Sequence, residues 1–513
     1  MGICFVTDIH HLSAAVFVKM SQAIHAVFGT CSPINHLITV LIRILLILSL
    51  ALNTASAADL PDLGEVSRKY FSDLDEQALS RSIMRDVYAD PLYLDDPEVE
   101  AYLEQLGYRL VSVSSRNQRD FNFFVIQQPT INAFALPGGN IGVHSGLLLA
   151  AQNESELASV LGHEIAHVTQ DHIARMVAAQ SQSYWPSLAA LGIALLAARS
   201  NPQVANAAIA STQALSIQNQ LNYTREYERE ADRIGYEMLR QAKFDPHGMS
   251  SFFSKLQRTN RLSDTSAPAY LRTHPLTSER IADMQARSEV SPYLQVTDSV
   301  DFELVRARLR ALEDTPQQAV KTFQSQLQDK RYSQAAAAHY GLALSFLRAR
   351  NYNGAENEYQ KLRTQSKLRS PLIASLAGRI ALESGQAEQA LERYRAGLIA
   401  YPAFRPLVYG YANSLLTANR ARESADYLAS QLSVWPRDAR LWRLSGQAYS
   451  RLGQRLQSHR AIAEGFALSG NLIAALEQIN LAIKANDGGF YELSAAEARQ
   501  REWQALEKAR HKS

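Results

Sequence analysis

The spacing of apolar and polar residues divides the sequence into two regions. From about residue 59 to residue 300, segments with apolar residues at helical spacing alternate with short strand-like segments. From residue 301 to about residue 510, apolar residues recur at helical spacing throughout. The change falls near the stretch VSPYLQVTDSVD at residues 290–301. The pattern predicts a mixed domain over residues 59–300 and an all-helical domain over residues 301–513.

The helical region repeats itself with a period of about 34 residues. Each predicted unit has a small residue followed four positions later by a large one, and in two units a proline follows eight positions after that. The sets are Ala319 with Phe323, Ala355 with Tyr359, Ala390 with Tyr394 and Pro402, and Ser424 with Leu428 and Pro436. This resembles the tetratricopeptide repeat, whose paired helices stack into a solenoid with a concave surface for protein or peptide segments. About four units are predicted, the last of them degenerate, with a further helix over residues 471–483 that is out of phase. An irregular helical bundle is the alternative.

An apolar run near the start predicts an export signal. Arg43 precedes the uncharged stretch ILLILSLAL, and the small residues that follow offer a cleavage site ending at Ala57 or Ala58. The run is shorter than the ~18 residues of a membrane-spanning helix. We therefore expect a signal peptide over residues 1–58, with Met20 as an alternative start, and a short buried helix is the alternative for the run.

Composition and charge narrow the chemistry of the mature chain. The 513 residues include 52 basic and 50 acidic side chains, a formal net charge of +2, which gives no reason to expect nucleic acid as a partner. Both cysteines, Cys4 and Cys31, lie within the predicted signal peptide. A metal site in the mature chain would therefore need histidine and carboxylate ligands.

One predicted helix carries residues suited to a zinc ion. The stretch NESELASVLGHEIAHVTQDHIARMVAAQ starts with a typical helix cap and predicts a helix over residues 154–180. His163 and His167 lie one turn and about 40° apart on it, so both imidazoles can bind one ion. Glu164 is then placed to take a proton from a water that the zinc activates. His172 would lie on the opposite side of the helix, and we predict a surface or packing role for it.

A second predicted helix supplies carboxylates for a third ligand. In NYTREYEREADRIGYEMLRQAKF, residues 222–244, Glu226 and Glu230 share one face while Glu228 and Asp232 share another. Spacing alone does not choose between the two pairs.

A predicted hairpin precedes the zinc helix. The stretch INAFALPGGNIGVHSGLL contains two strand-like runs joined by a turn-forming Pro-Gly-Gly-Asn. Its edge could bind an extended substrate through main-chain hydrogen bonds, with Asn132, Ala133, Phe134 and Ala135 as candidates. A hairpin that only packs against the helix is the alternative, and His144 is predicted to be structural.

Together these motifs resemble the HtpX-like and prenyl-protein-peptidase-like gluzincin metallopeptidases. The resemblance rests on the His-Glu-x-x-His run, the Glu-x-x-Ala-Asp run at 228–232, the hairpin and the stretch THPLTSERI at 273–281. It implies one Zn²⁺ per chain, with Glu228 as the third ligand beside the two histidines and Asp232 as the group that orients a ligating histidine.

The resemblance also implies a site role for His274. This residue could stabilise the transition state or occupy the fourth coordination position, and an unrelated loop role is the alternative. Arg280 would anchor the loop. Between the two zinc helices, the apolar segment 184–215 predicts a buried helical hairpin, with a mobile flap or a shallow membrane contact as the alternative.

The predicted fold is mainly α and belongs to the α+β class. It consists of a zincin-type helical peptidase domain with a small sheet, followed by an α-α repeat solenoid. With its export signal and repeats, the chain resembles periplasmic members of the family. This implies a zinc endopeptidase that degrades misfolded or stalled outer-membrane β-barrel proteins and assists their assembly. The repeat domain would bind envelope proteins, including the barrel-insertion machinery, with at most peripheral contact with the outer membrane. The alternative is a chaperone or scaffold whose zinc site is structural or normally closed.

Overall fold

Helices dominate the architecture, which confirms the predicted fold class. The computed structural model describes residues 72–114, 120–179, 225–262, 268–292, 294–365 and 368–510. Within these ranges the chain contains 21 helices and one three-stranded sheet. None of the described helices combines the length and apolarity needed to cross a membrane. The predicted signal peptide and the apolar segment 184–215 lie outside the described residues.

The N-terminal part, which we define as the described residues from 72 to 292, contains the sheet and nine helices. These elements are α1 (Asp73–Ala89), α2 (Pro97–Val111), β1 (Asn122–Ile126), β2 (Ala133–Leu136), β3 (Asn140–His144), α3 (Ser145–Ala150), α4 (Glu154–Thr169), α5 (His172–Ala179), α6 (Arg225–Gln241), α7 (His247–Leu262), α8 (Ala269–Thr273) and α9 (Ser278–Val290).

The sheet contains the predicted hairpin. Its strand order is β1-β3-β2, with β1 parallel and β2 antiparallel to the central β3. The turn between β2 and β3 contains Gly138 and Gly139 at φ of 79° and 76°, values that glycine adopts without strain. Strand β2 forms one edge of the described sheet and packs against α4. The hairpin therefore brings an edge strand alongside the helix of the predicted zinc ligands.

The helix predicted over residues 154–180 is in fact two helices. Helix α4 ends at Thr169, Asp171 has a left-handed φ of 54°, and α5 begins at His172. A left-handed residue ends the helical phase, and aspartate tolerates it better than most residues do. The prediction of a continuous helix was therefore wrong, and so was the position it gave His172. That side chain is buried, with its ring centroid 4.8 Å from that of His167.

The repeat part, the described residues from 294 to 510, consists of antiparallel helix pairs. They are α10 (Val300–Glu313) with α11 (Pro316–Gln328), α12 (Ala335–Arg348) with α13 (Tyr352–Gln365), α14 (Pro371–Glu383) with α15 (Ala387–Ala400), α16 (Arg405–Thr417) with α17 (Ala421–Val434), α18 (Ala439–Arg451) with α19 (Arg455–Leu468), and α20 (Leu472–Lys484) with α21 (Phe490–Arg510).

The repeats pack as the small and large residues of the sequence predict. A Cβ added to Gly378 would lie 2.6 Å from the ring of Tyr394, and one added to Gly341 would lie 2.3 Å from the ring of Phe323. Each large side chain thus fills the space that a small residue leaves. The predicted number of about four units was too low, because the described repeat part contains six helix pairs. Helix α20 starts one repeat length after α18, so it is in phase, contrary to the prediction.

The apolar core continues from the N-terminal part into the first repeats. One cluster of buried residues includes Val99 on α2, Leu161 on α4, Phe302 on α10, Tyr340 on α12 and Leu376 on α14. Helix α10 packs directly against α2 and α3. The described residues all belong to one compact unit.

A buried ion-pair network joins the start of α2 to the repeats. Arg308 is 2% exposed; its Nε donates to Asp96 at 2.8 Å and its Nη2 donates to Glu98 at 2.9 Å. Its Nη1 donates to the hydroxyl of Tyr340 at 3.2 Å, and the hydroxyl of Ser375 donates to Glu98 at 2.8 Å. Burial alone would raise the pKa of Asp96, but the charge of Arg308 lowers it overall. The network fixes how α2, α10, α12 and α14 meet.

More exposed ion pairs extend along the same side. Arginines of the repeats again meet acids of the N-terminal part: Arg405 with Glu104, Arg440 with Asp95 and Glu100, and Arg437 with Asp120.

We expect an Arg308→Leu variant to lower the free energy of unfolding by about 3–5 kcal/mol, because Asp96 and Glu98 would remain buried without their cation. Urea denaturation followed by circular dichroism measures the change. Arg437→Leu is the matched control, since its pair with Asp120 is largely exposed and contributes less than about 1 kcal/mol. Equal stability of the two variants would contradict the assignment.

Candidate metal centre

Two glycines allow the helices of the candidate site to approach each other closely. A Cβ added to Gly235 on α6 would lie 3.0 Å from backbone atoms of Gly162 and His163 on α4. A Cβ added to Gly162 would lie 3.3 Å from the carbonyl oxygen of Gly235. No side chain therefore separates the helices at this point, and Glu228, two turns earlier on α6, reaches the histidines of α4.

Four buried side chains converge on one small volume. His163, His167, Glu228 and His274 each offer a ligand atom, and these atoms lie within 4.8 Å of one another. The Nε2 atoms of His163 and His167 are 2.9 Å apart, and each lies 3.5 Å from an oxygen of Glu228. The Nδ1 of His274 lies 2.9 Å from Glu228 Oε1 and 3.2 Å from His163 Nε2.

These donors have the chemistry of a zinc site. Imidazole nitrogen and carboxylate oxygen are ordinary zinc ligands, and four donors is the usual number. Glu164 provides an independent indication that a further group binds here. Its side chain is completely buried, and neither carboxylate oxygen has a hydrogen-bond partner among the described residues. A buried carboxylate of this kind is costly unless another group, such as a water or a substrate, satisfies it.

At His167 and Glu228, the electrostatics of the centre favour the protonation states that bind metal. Burial, with the charges of neighbouring histidines, lowers the pKa of His167 well below its usual range. Burial alone would raise the pKa of Glu228, but the charges of His274, His163 and Arg280 lower it overall. A neutral imidazole and an ionised carboxylate are the forms that coordinate a metal ion.

Glu164 and His274 have their pKa values shifted in the same direction by different causes. Burial raises the pKa of Glu164, and the charges of His274 and His163 offset this only partly. Burial would lower the pKa of His274, but the carboxylates of Glu228 and Glu164 raise it overall. His274 Nε2 and Glu164 Oε1 are 3.5 Å apart.

Asp232 and Arg280 support the donors from behind. The Nδ1 of His163 is 3.0 Å from Asp232 Oδ1, and Arg280 donates to both oxygens of Asp232, at 2.6 and 2.7 Å. The Nη1 of Arg280 also donates to the carbonyl of Pro275 at 2.8 Å, as expected of a loop anchor. The same nitrogen forms an ion pair with Glu228 Oε2 at 2.6 Å. Arg280 thus connects the loop that carries His274 to α6.

The two carboxylate pairs of α6 have different surroundings. Glu228 and Asp232 are buried and face the site, whereas Glu226 is exposed. Glu230 points to α5, where its Oε2 lies 3.1 Å from His172 Nε2 and 2.8 Å from Arg175 Nη1. Packing against α4 therefore places Glu228 and Asp232 at the site. This is the pair that the resemblance implied, whereas spacing alone left the choice open.

Tyr270 is a neighbour of the site that the sequence motifs did not indicate. It is buried, and its ring stacks on that of His274 with centroids 4.7 Å apart. The one signal in the sequence was its position, four residues before His274 and so one helical turn away. In the structure, the carbonyl of Tyr270 accepts a hydrogen bond from the amide of His274 at 2.9 Å.

The hairpin residues proposed to bind substrate lie beside the centre. Asn132, Ala133, Phe134 and Ala135 are all buried, and the last three belong to the edge strand β2. Ala135 presents its amide towards the carboxylate of Glu164, outside the geometry of a hydrogen bond. The side chain of Asn132 instead lies 3.3 Å from His144 Nε2.

The sequence matches known proteins over most of its length. Residues 97–288 match the model of peptidase family M48. The beta-barrel assembly-enhancing protease of Escherichia coli (strain K12) is 34% identical over 455 residues, which cover 87% of this chain and 92% of that protein. The mitochondrial metalloendopeptidase OMA1 of Schizosaccharomyces pombe is 29% identical over 226 residues, which cover 43% of this chain and 64% of that protein.

Among solved structures, part of this chain is similar to YrrB, a TPR protein with an unusual peptide-binding site. The match covers 36% of this chain and 93% of that one, with 16% identity and a TM-score of 0.27.

We expect a Gly235→Ala variant to bind zinc more weakly, because the added Cβ would push α6 away from α4 and withdraw Glu228 from the histidines. Overpacking of this kind also costs about 1–3 kcal/mol of stability. Competition with a chromophoric chelator measures the zinc dissociation constant. The control is Arg233→Ala on the exposed face of α6. Unchanged zinc affinity in Gly235→Ala would show that the close helix contact does not determine the site.

Proposed function

The chain belongs to peptidase family M48 and is a metallopeptidase, and we propose that it is a zinc-dependent endopeptidase with one Zn²⁺ per chain. In this proposal His163, His167 and Glu228 hold the ion. The observation that supports it best is the convergence of these buried donors beside Glu164, whose carboxylate has no hydrogen-bond partner among the described residues.

Glu164 is proposed as the general base. A zinc ion bound by the donors would act as a Lewis acid towards water and the peptide carbonyl. Glu164 would take a proton from the water and later give it to the leaving amine. Burial raises the pKa of Glu164 towards neutral pH. A carboxyl with such a pKa can both accept and donate a proton during the reaction.

Asp232 is proposed to orient His163. An acceptor at Nδ1 keeps the proton on that nitrogen, so that Nε2 has its lone pair free for the ion. The two hydrogen bonds from Arg280 hold the carboxylate in place.

His274 is proposed to regulate access to the site. Its Nδ1 lies among the ligand atoms, within hydrogen-bond distance of Glu228 Oε1. In this conformation His274 would occupy the fourth coordination position and exclude the attacking water. Movement of the loop between α8 and α9 would open the position and leave His274 near the reacting carbonyl, where it could stabilise the transition state.

We propose that the substrates are misfolded or stalled outer-membrane β-barrel proteins in the periplasm. The support is the 34% identity to a protein named beta-barrel assembly-enhancing protease, over 92% of its length. A signal peptide at 1–58, a peptidase domain at 59–300 and a repeat domain at 301–513 fit this reading. The repeats would bind envelope proteins, including the machinery that inserts barrels. Asn132, Ala133, Phe134 and Ala135 would pair with an extended substrate.

The position of His274 favours one alternative function, a chaperone whose zinc site is normally closed.

A Glu164→Gln variant tests the base. We expect it to cleave an unfolded outer-membrane barrel protein about 10²–10⁴-fold more slowly than the parent mature chain, while it keeps the parent's zinc content. Gel electrophoresis of the substrate and metal analysis of both proteins measure this, and a chelator should stop the parent until zinc is restored. Equal cleavage by both would refute the role of Glu164. No cleavage by a zinc-loaded parent would favour the closed chaperone.

A His274→Ala variant tests the regulation. Because three protein ligands remain, we expect full zinc content and faster cleavage, about tenfold if nine-tenths of the parent molecules are closed. The control is His247→Ala, a histidine that pairs with Asp245 outside the site. Parent-like turnover and zinc content in His274→Ala would remove its proposed role, and slower cleavage would assign it to the transition state instead.

A further inference from the structure

A second set of polar groups lies behind His167, on the side away from the ligand atoms; His172 is buried and the others are partly buried. The Nδ1 of His172 lies 2.7 Å from the Nδ1 of His167, and the Nε2 of His172 lies 3.1 Å from Glu230 Oε2. Arg175 Nη1 donates to the same oxygen at 2.8 Å. The ring of Tyr227 stacks on that of His172, with centroids 4.7 Å apart. The mechanism described above does not use these groups.

Glu230 determines which atoms of this set donate hydrogen bonds and which accept them. An ionised carboxylate can only accept, so Nε2 of His172 donates to Glu230. A neutral imidazole with its proton on Nε2 accepts at Nδ1. The Nδ1 of His167 must then carry the proton between the two rings. The Nε2 of His167 is left with a lone pair, directed at the volume it shares with His163 and Glu228.

We propose that Glu230 and His172 are positioning residues that hold His167 in the tautomer and orientation required for zinc, an inference that rests on the proposed zinc function of His167. This chain of contacts does for His167 what Asp232 does for His163. Outer contacts of this kind set both the direction of a ligand's lone pair and its basicity.

The break between α4 and α5 creates this arrangement. Had the helix continued through Asp171, His172 would have been on the far side of α4. The left-handed conformation of Asp171 instead starts α5 so that its first side chain faces His167. Asp171 is itself buried.

The test compares zinc affinity among variants of the full mature chain, measured by competition with a chromophoric chelator. We expect His172→Leu, which removes the acceptor, to weaken zinc binding about 10–100-fold. His172→Asn should recover most of the loss, because its amide oxygen can lie near the position of the imidazole Nδ1 and accept the same proton. The zinc affinity of Glu230→Gln should lie between those of the parent and His172→Leu. An amide can donate or accept, so it no longer fixes which nitrogen of His172 carries the proton. Glu226→Gln is the matched control on α6, an exposed carboxylate one turn from Glu230.

Thermal denaturation of the metal-free variants separates positioning from general stability, because a merely structural role would change the midpoint without a rescue of zinc affinity by His172→Asn. The proposal is overturned if His172→Leu binds zinc as tightly as the parent, or if His172→Asn binds no better than His172→Leu. Should both His172 variants fail to fold, parent-like affinity in Glu230→Gln overturns it and weaker affinity supports it. A parent that binds zinc but cleaves nothing would contradict the peptidase function alone. A parent that binds no zinc would overturn both.

Discussion

The contact between α4 and α6 is the constraint on which the rest of the centre depends. At Gly162 and Gly235 backbone meets backbone, and backbone cannot move aside as a flexible side chain can. Because the helices approach so closely, a carboxylate on α6 lies within a few ångströms of two imidazoles on α4. The loop that carries His274 then closes over them through Arg280, which is bound to α6.

This assembly places many ionisable groups in an interior with little water, where each charge needs a partner. Most have one: Asp232 is held by Arg280, and Glu230 is held by Arg175. Glu164 is less well satisfied: it lies 3.5 Å from His274, but neither of its buried oxygens has a hydrogen bond among the described residues. Such an exception lowers stability, and proteins generally retain it where chemistry uses the group. The same residue is therefore costly to the fold and central to the proposed reaction.

Sequence spacing predicted the parts of the site that lie within one regular helix. His163 and His167 share a face because α4 is regular there. Spacing could not choose Glu228, because both carboxylate pairs of α6 have the same helical spacing and only packing against α4 distinguishes them. Nor could it place His172, since the single left-handed residue Asp171 ends the helical phase. The fold class and the repeats were predictable because they depend on local periodicity.

The continuous core between the N-terminal part and the repeats limits how such a chain can be divided. Helix α10 belongs to the repeats by sequence, yet Phe302 packs in the same core as Leu161 of α4, and Arg308 neutralises acids at the start of α2. A repeat array from another protein could not be joined here by simple recombination, because it would lack these matching surfaces. Because the two parts share one core, exchanging either of them alone would leave buried apolar surface and buried acids without partners at this boundary.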